Sequence, residues 1–256
     1  MRKQDPYSLV GKTILITGAS SGIGRSIAIQ SAQKRAKLLL MGRDQERLKE
    51  TLSMCKNGCK HQSISLDFTV TQGWQNEIEQ VLSEHAPLDG MVHAAGISPT
   101  IPLKIAQHQQ LLNTFELNVF SCIKLIQLLT RPGIKNKRGM SFVLLASVMS
   151  EAGEKGKFLY SMSKAALVAA SRSLALEYAA QHMRFNCISP GVVNSPLSEK
   201  SVYRGDPEAM QRMLARHPLG LGEVADVAHA AVYLLSDASK WMTGSNMVVD
   251  GGYLAQ

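Results

Sequence analysis

Aromatic side chains are scarce: Phe, Trp and Tyr together make up 5% of the 256 residues. A core must therefore lean on Leu, Ile, Val, Ala and the twelve Met. Apolar residues still reach 45%, enough for one large α/β domain spanning 1–256. Long apolar runs are missing. None approaches the roughly 18 residues of a membrane-spanning helix, so no membrane partner is expected. The opening stretch, MRKQDPYSLVGK, has basic residues but no apolar run behind them, so no secretory signal is expected. Cysteine is sparse, at positions 55, 59, 122 and 187. That argues against a disulfide framework and for a reducing, cytoplasmic setting. Cys55, Cys59 and His61 match no common zinc spacing and lack a fourth ligand, so no metal is expected.

Acidic residues are in deficit. Against 28 Lys and Arg stand 20 Asp and Glu, a formal charge of +8. Such a balance favours anionic partners. The basic residues are scattered, as in Lys34, Arg35 and Lys37, or Lys155 and Lys157. No basic arm or aromatic-interleaved basic strand appears, so no nucleic-acid partner is expected.

What is present is an alternation. Short β-branched or Leu-rich runs at 12–18, 37–43, 61–68, 90–96, 140–147, 184–191 and 246–252 read as strands. Helical spacing follows at 22–36, 44–55, 71–85, 108–130, 159–181 and 223–236. Alternation of this kind predicts a Rossmann-like, doubly wound parallel sheet of about seven strands with helices on both faces. Neither a linker nor an internal repeat interrupts it.

The first strand runs into TGASSGIG, Thr17 to Gly24, with glycines at 18, 22 and 24 opening the first helix. Glycine lets backbone amides approach a pyrophosphate at a helix N-terminus, where the dipole favours anions. Gly18, Ser20, Ser21, Gly22, Ile23 and Gly24 are the candidate phosphate contacts. The second strand ends LLLMGRD. Gly42 occupies the place where an acidic residue would bind a ribose 2′-hydroxyl, and Arg43 follows. A guanidinium suits a 2′-phosphate, so NADP(H) is expected over NAD(H). Asp44 competes: turned inward it would bind the ribose, turned outward it would cap the next helix.

The Gly-x-x-x-Gly-x-Gly spacing, together with YSMSK at 160–164, resembles the classical short-chain dehydrogenases/reductases. The resemblance covers about residues 9 to 255, and 3-oxoacyl-(acyl-carrier-protein) reductases are among the similar proteins. It implies a catalytic set of Ser147, Tyr160, Lys164 and Asn118. Tyr160 would donate a proton, and the Lys164 ammonium would lower its pKa by proximity. Asp67 and Phe68 would hold the adenine ring. Ala95 and Gly96 would meet the cofactor, and Pro190, Gly191, Val193 and Ser195 would flank the nicotinamide. Two departures stand out. The family's Asn-Asn-Ala-Gly reads HAAG at 93–96, so Ala94 loses a bracing side chain, and His93 reads as a packed strand residue. Ser195 replaces a commoner Thr and keeps the hydroxyl.

The stretch 195–217 is expected to form a substrate lid. Met210, Met213 and Leu214 would either line the pocket with Val148 and Met149 or pack the lid down. The implied reaction exchanges a hydride between the nicotinamide and a small carbonyl or secondary alcohol, with a 3-oxoacyl thioester on an acyl carrier protein as one candidate. Arg138 lies where such reductases present a carrier-binding base, but Gln181 stands where a second is expected. An NAD-dependent alcohol, sugar or steroid dehydrogenase is the alternative enzyme, and a non-catalytic dinucleotide sensor or scaffold the alternative class. The helices at 108–130 and 159–181 resemble those that pair subunits, which implies a homotetramer or a homodimer.

Overall fold

A computed structural model describes residues 5–69, 73–199 and 205–256. The first two residues of the helix expected at 71–85 and residues 200–204 of the expected lid lie outside them. The chain runs β1 (Thr13–Thr17), α1 (Gly22–Gln33), β2 (Lys37–Gly42), α2 (Gln45–Met54), β3 (Gln62–Ser65), α3 (Trp74–His85) and β4 (Gly90–His93). It continues through α4 (His108–Phe115), α5 (Ser121–Leu129), β5 (Ser141–Leu145), α6 (Phe158–Glu177) and β6 (Arg184–Pro190). Then come β7 (Val193–Asn194), α7 (Pro196–Glu199), α8 (Pro207–Ala215), β8 (Gly222–Glu223), α9 (Val224–Leu235) and β9 (Asn246–Val249).

Seven of the strands form one parallel sheet in the order β3-β2-β1-β4-β5-β6-β9. The central strands β1, β2, β4 and β5 are mostly apolar because the sheet is buried on both faces there, whereas β3 at the edge is polar and partly exposed. Successive side chains take opposite sides: Ile14, Ile16, Leu38 and Leu40 join one core with α1, α2 and α9. Leu15, Leu39 and Met41 join the other, with α3, α5 and α6. Phe142 of β5 and Phe185 of β6 stack there, ring centroids 4.4 Å apart. The strand order reverses between β1 and β4. That switch point opens a crevice at the carboxyl ends of the strands.

Two local departures from the expected elements have physical causes, and one open alternative is resolved. The helix expected at 108–130 is broken into α4 and α5 by a π-turn over Glu116–Phe120. Asn118 sits in that turn, fully buried, and such turns recur at functional sites. The last strand ends at Val249 rather than 252, because Gly251 and Gly252 turn away at φ +61° and +89°. Asp44 is a helix cap: its Oδ1 accepts the Arg47 amide at 3.0 Å. Among the described residues, no helix is long and apolar enough to cross a membrane.

Candidate active site

The loop after β1 is shaped by what a Cβ would strike. At Gly24 it would lie 2.2 Å from the Gly18 carbonyl oxygen. At Gly18, held at φ +65°, it would press the Ala94 and Ala95 backbone at 2.7–2.8 Å. The turn therefore packs backbone on backbone, which only glycine allows. Ser21 stands at the N-cap of α1, and its side chain makes no capping bond. No acidic residue occupies the first turn. The leading amides of α1 are thus free of side-chain caps and suit an anion. This cradle fits a dinucleotide pyrophosphate.

Beside it, a Cβ on Gly42 would come within 3.4 Å of the Ser20 hydroxyl. Arg43 follows, exposed, its carbonyl accepting the Ser65 hydroxyl at 3.1 Å. Asp67 is bonded by the hydroxyl and amide of Thr69 at 2.6 and 2.9 Å. Those bonds, helped by the Arg43 charge, hold its carboxyl below the usual range. Phe68 is buried, edge-on to Trp74 with centroids 5.3 Å apart. Its ring belongs to the core, which leaves only its backbone to meet an adenine.

At the other end of the crevice, β5 delivers Ser147. The Ser147 hydroxyl accepts the Met149 amide at 3.2 Å, and its carbonyl starts a short turn over Val148–Ser150. Tyr160, one turn into α6, is partly buried, and hydrogen bonding from Ser147 favours its phenolate. Lys164 is 5% exposed. Its ammonium donates to the Leu145 carbonyl at 2.6 Å and lies 5.7 Å from the Tyr160 ring centroid. Burial dominates the titration of both. It pushes the Tyr160 phenol above its ordinary range and lowers Lys164 to about 8. At Tyr160 desolvation outweighs the Ser147 hydrogen bond.

Asn118 uses its amide fully. Its Oδ1 accepts the Ile97 amide at 2.9 Å, and its Nδ2 donates to the Ile97 carbonyl and the Ser163 hydroxyl at 3.0 and 2.9 Å. It ties the loop after β4 to the catalytic helix. Gly96 makes room for this, since a Cβ there would meet Asn118 Oδ1 at 3.1 Å. His93 is fully buried, as its reading as a packed strand residue expected. The Thr17 hydroxyl accepts the Ala94 and Ala95 amides at 3.2 and 3.1 Å and faces His93 Nδ1 at 3.1 Å. Both its lone pairs are taken, so its proton goes to Nδ1 and the imidazole proton resides on Nε2. Among the described residues no well-aligned hydrogen bond forms at Nε2, although the Leu117 and Asn118 carbonyls favour its proton. Burial and the Lys164 charge pull His93 down to about 3, so it stays neutral. Thr17 and His93 thus supply the brace that Ala94 cannot.

A cavity of about 720 Å³ joins these groups. Ile23, Gly96, Ser147, Tyr160, Lys164, Pro190, Gly191, Val193 and Ser195 all line it. Gly191 sits where a Cβ would press Asp250 at 2.9–3.1 Å. Ser195 N donates to the Ser198 hydroxyl at 3.0 Å. Gly18, Ser20, Ser21, Gly22, Gly24, Arg43, Asp67, Phe68 and Ala95 stand outside this lining, toward the adenine end. Of the expected lid, Leu197 and Met213 face the cavity, while Met210 does not line it and Leu214 is exposed. Val148 and Met149 line it as expected. Sequence reasoning missed Ser98, Thr100, Lys157, Arg216 and Tyr253, which complete the wall. The Lys155 and Lys157 pair was a visible signal; Tyr253, in the last turn of the chain, gave none. Among the described residues, no cluster of three or more His, Cys, Asp or Glu is grouped to hold a metal.

Known proteins share this arrangement. A model of the Enoyl-(Acyl carrier protein) reductase family matches residues 18–254. L-xylulose reductase of Caenorhabditis elegans is 32% identical over 254 residues, spanning 96% of this chain and 97% of that one. A 3-oxoacyl-(acyl-carrier-protein) reductase of Chlamydia pneumoniae is 30% identical over 247 residues, with 96% and 98% covered. A Beutenbergia cavernae structure, described as an NAD(P)-dependent gluconate 5-dehydrogenase with NADP bound at low occupancy, is 30% identical. It superposes with a TM-score of 0.91 over 98% of this chain and 100% of that one. With the glycine cradle and the Ser147, Tyr160 and Lys164 cluster at the sheet's switch point, the chain belongs to the short-chain dehydrogenase/reductase family and is an NAD(P)-dependent oxidoreductase.

Proposed function

We propose that the chain exchanges a hydride between NADP(H) and a carbonyl or secondary alcohol on a small polar substrate. The observation that carries this reading is Tyr160, set beside Ser147 and Lys164 in the cavity that Gly191, Val193 and Ser195 share. When bound, the dinucleotide supplies or accepts the hydride. The protein supplies position and proton. Ser147 donates a hydrogen bond to the substrate oxygen and holds it in line. Tyr160 gives that oxygen its proton as negative charge grows there. Burial keeps the phenol in its neutral, donating form, which suits reduction. Lys164 steadies the phenolate left behind and holds the nicotinamide ribose. Asn118 fixes the π-turn behind Lys164, and its spent side chain leaves the turn's backbone to support re-protonation.

Preference for NADP(H) is supported by Gly42 at the strand end, by Asp44 being occupied as a helix cap, and by the exposed Arg43. Among related structures, an Agrobacterium tumefaciens protein described as a 2-deoxy-D-gluconate 3-dehydrogenase also has NADP bound. A sugar-like substrate is better supported than a carrier-borne thioester. Arg138 precedes β5 and Ser147 follows it, so they stand at opposite ends of the strand. Gln181 is taken up by Lys135. Ser98 and Thr100 add two hydroxyls to a lining that is otherwise largely apolar. The stretch 195–217 serves as the substrate lid of a single domain. Subunits pair through α4, α5 and α6 in a tetramer, supported by exposed Leu112, Phe120, Met162 and Leu176.

The test is NADPH oxidation with a panel of ketoses, keto acids, simple ketones and 3-oxoacyl thioesters. Turnover of a polar carbonyl is expected. Tight NADPH binding with no turnover of any panel member would sink the enzymatic reading and leave a dinucleotide sensor.

A further inference from the structure

We infer that the substrate carries an anionic oxygen group, a carboxylate or a phosphate, bound by Lys157 and Arg216 on the cavity wall. The inference rests on the oxidoreductase reading above and names its substrate class.

Lys157 enters the cavity three residues before Tyr160. Its Nζ lies 5.9 Å from the Tyr160 ring centroid, on the reacting side of the pocket. It donates to the Ser98 hydroxyl at 3.1 Å, with the Ser98 carbonyl at 3.4 Å. An ammonium has three donors, so at least one remains for a ligand. Arg216 ends α8. Its Nη1 donates to the Tyr253 hydroxyl at 3.0 Å, and its guanidinium carbon lies 5.6 Å from that ring's centroid. Tyr253 in turn packs with Val148, Met149 and Tyr160. The guanidinium is thus anchored at one nitrogen, with its other donors unspent among the described residues, a fork that matches a carboxylate or phosphate.

Charge balance supports the same conclusion. Among the described residues, neither Lys157 nor Arg216 has a carboxylate within ion-pair distance. Arg212, which also lines the cavity, is offset by Asp206 and Glu208 at 3.9 and 3.5 Å. Lys164 is buried beside Tyr160, donates to the Leu145 carbonyl and is assigned above to the phenolate and the nicotinamide ribose. Glu154 is the only carboxylate on the lining among the described residues, and it is exposed. Burial already pulls Lys157 below its ordinary range, and the Glu154 charge offsets this only in part. An arriving anion reverses that cost; a neutral substrate leaves it standing. The dinucleotide's own phosphates do not fill this role, because their cradle lies at the α1 end of the crevice.

The test is calorimetric titration of the NADP-loaded protein with gluconate, a sugar phosphate and neutral glucitol. At least one anion is expected to bind about tenfold or more tighter than glucitol, the difference expected of a hydrogen bond to a charged group. The carboxylate and phosphate arms tell which group is taken. Lys157→Gln and Arg216→Gln should each remove most of that preference, and Arg216→Lys should restore part. Each variant is first checked for NADPH binding, and Arg216→Lys against wild type serves if Arg216→Gln does not fold. Equal affinity for glucitol, no binding of any of the three, or an unchanged preference in the variants overturns the inference. Turnover of neutral carbonyls without an anion preference would sink the inference alone; an anion preference without any turnover would sink the catalytic reading alone.

Discussion

At the dinucleotide end of the crevice, backbone shapes the site. Gly18 and Gly24 touch main chain where any Cβ would intrude, and the uncapped start of α1 offers amides. At the substrate end, side chains do the shaping. Ser98, Met149, Lys157, the α8 pair Met213 and Arg216, and Tyr253 come from five segments and meet only in the folded chain. The two ends should therefore fail differently. Backbone sites tolerate no added atom, whereas side-chain sites change what they bind before they lose their shape. Tyr160 stands at the junction, and its substitution is the sharpest probe. In Tyr160→Phe the proton donor is gone but the ring still packs. Carbonyl reduction should fall by about 10²- to 10⁴-fold, with NADPH affinity far less affected. Steady-state kinetics beside a nucleotide titration checks this, and a fully active variant would remove Tyr160 from the mechanism.

Breaking the backbone end comes next. Gly24→Ala places a methyl 2.2 Å from the Gly18 carbonyl, so the loop must open. NADPH affinity should drop by about 100-fold or more, since the leading amides lose their alignment. Gly153→Ala, where a Cβ meets nothing within 4 Å, is the control at the substrate end. It should leave nucleotide affinity where it was. Equal effects from the two substitutions would erase the contrast between the ends.

The same contrast explains what could be read from the sequence. The glycine spacing and the Tyr160 and Lys164 pair are local patterns, legible because one helix or one turn contains them. The alternating apolar runs fixed which strands are buried, and period-two side chains then sorted into the two cores. The π-turn was not legible, because the residues around Asn118 read as one unbroken apolar helix. What opens the turn is a set of distant partners, Ile97 and Ser163, on other elements. Burial was hidden as well: the local pattern does not show that Tyr160 and Lys164 are desolvated, and desolvation is the largest influence on both. The substrate wall was the least legible, since Arg216 and Tyr253 meet only through folding.

Cofactor choice offers a milder break, confined to the backbone end. Arg43→Asp replaces an exposed cation beside the cradle with an anion. It would repel a 2′-phosphate and offer a carboxylate to a 2′-hydroxyl. The ratio of kcat/KM for NADPH to that for NADH should fall by about ten- to a hundredfold, the scale of one lost charge-assisted hydrogen bond. An unmoved ratio would separate Arg43 from cofactor choice.

The smallest effect is graded rather than abrupt. Burial lowers the Lys164 ammonium to about 8, so it is charged below that pH and neutral above it. Burial moves the Tyr160 phenol the other way, so the proton donor stays loaded as pH rises. His93, at about 3, is neutral throughout and contributes no limb near neutrality. The rate of reduction should therefore hold up to about pH 8 and then decline, by at most about tenfold per pH unit, as Lys164 loses its proton. Arginine does not deprotonate in this range. Lys164→Arg should be slower, because a guanidinium does not fit the place of an ammonium bonded to Leu145, but its profile should stay flat through pH 8 to 9. If the alkaline limb survives unchanged in Lys164→Arg, it reports another group, and Tyr160 itself becomes the first to test.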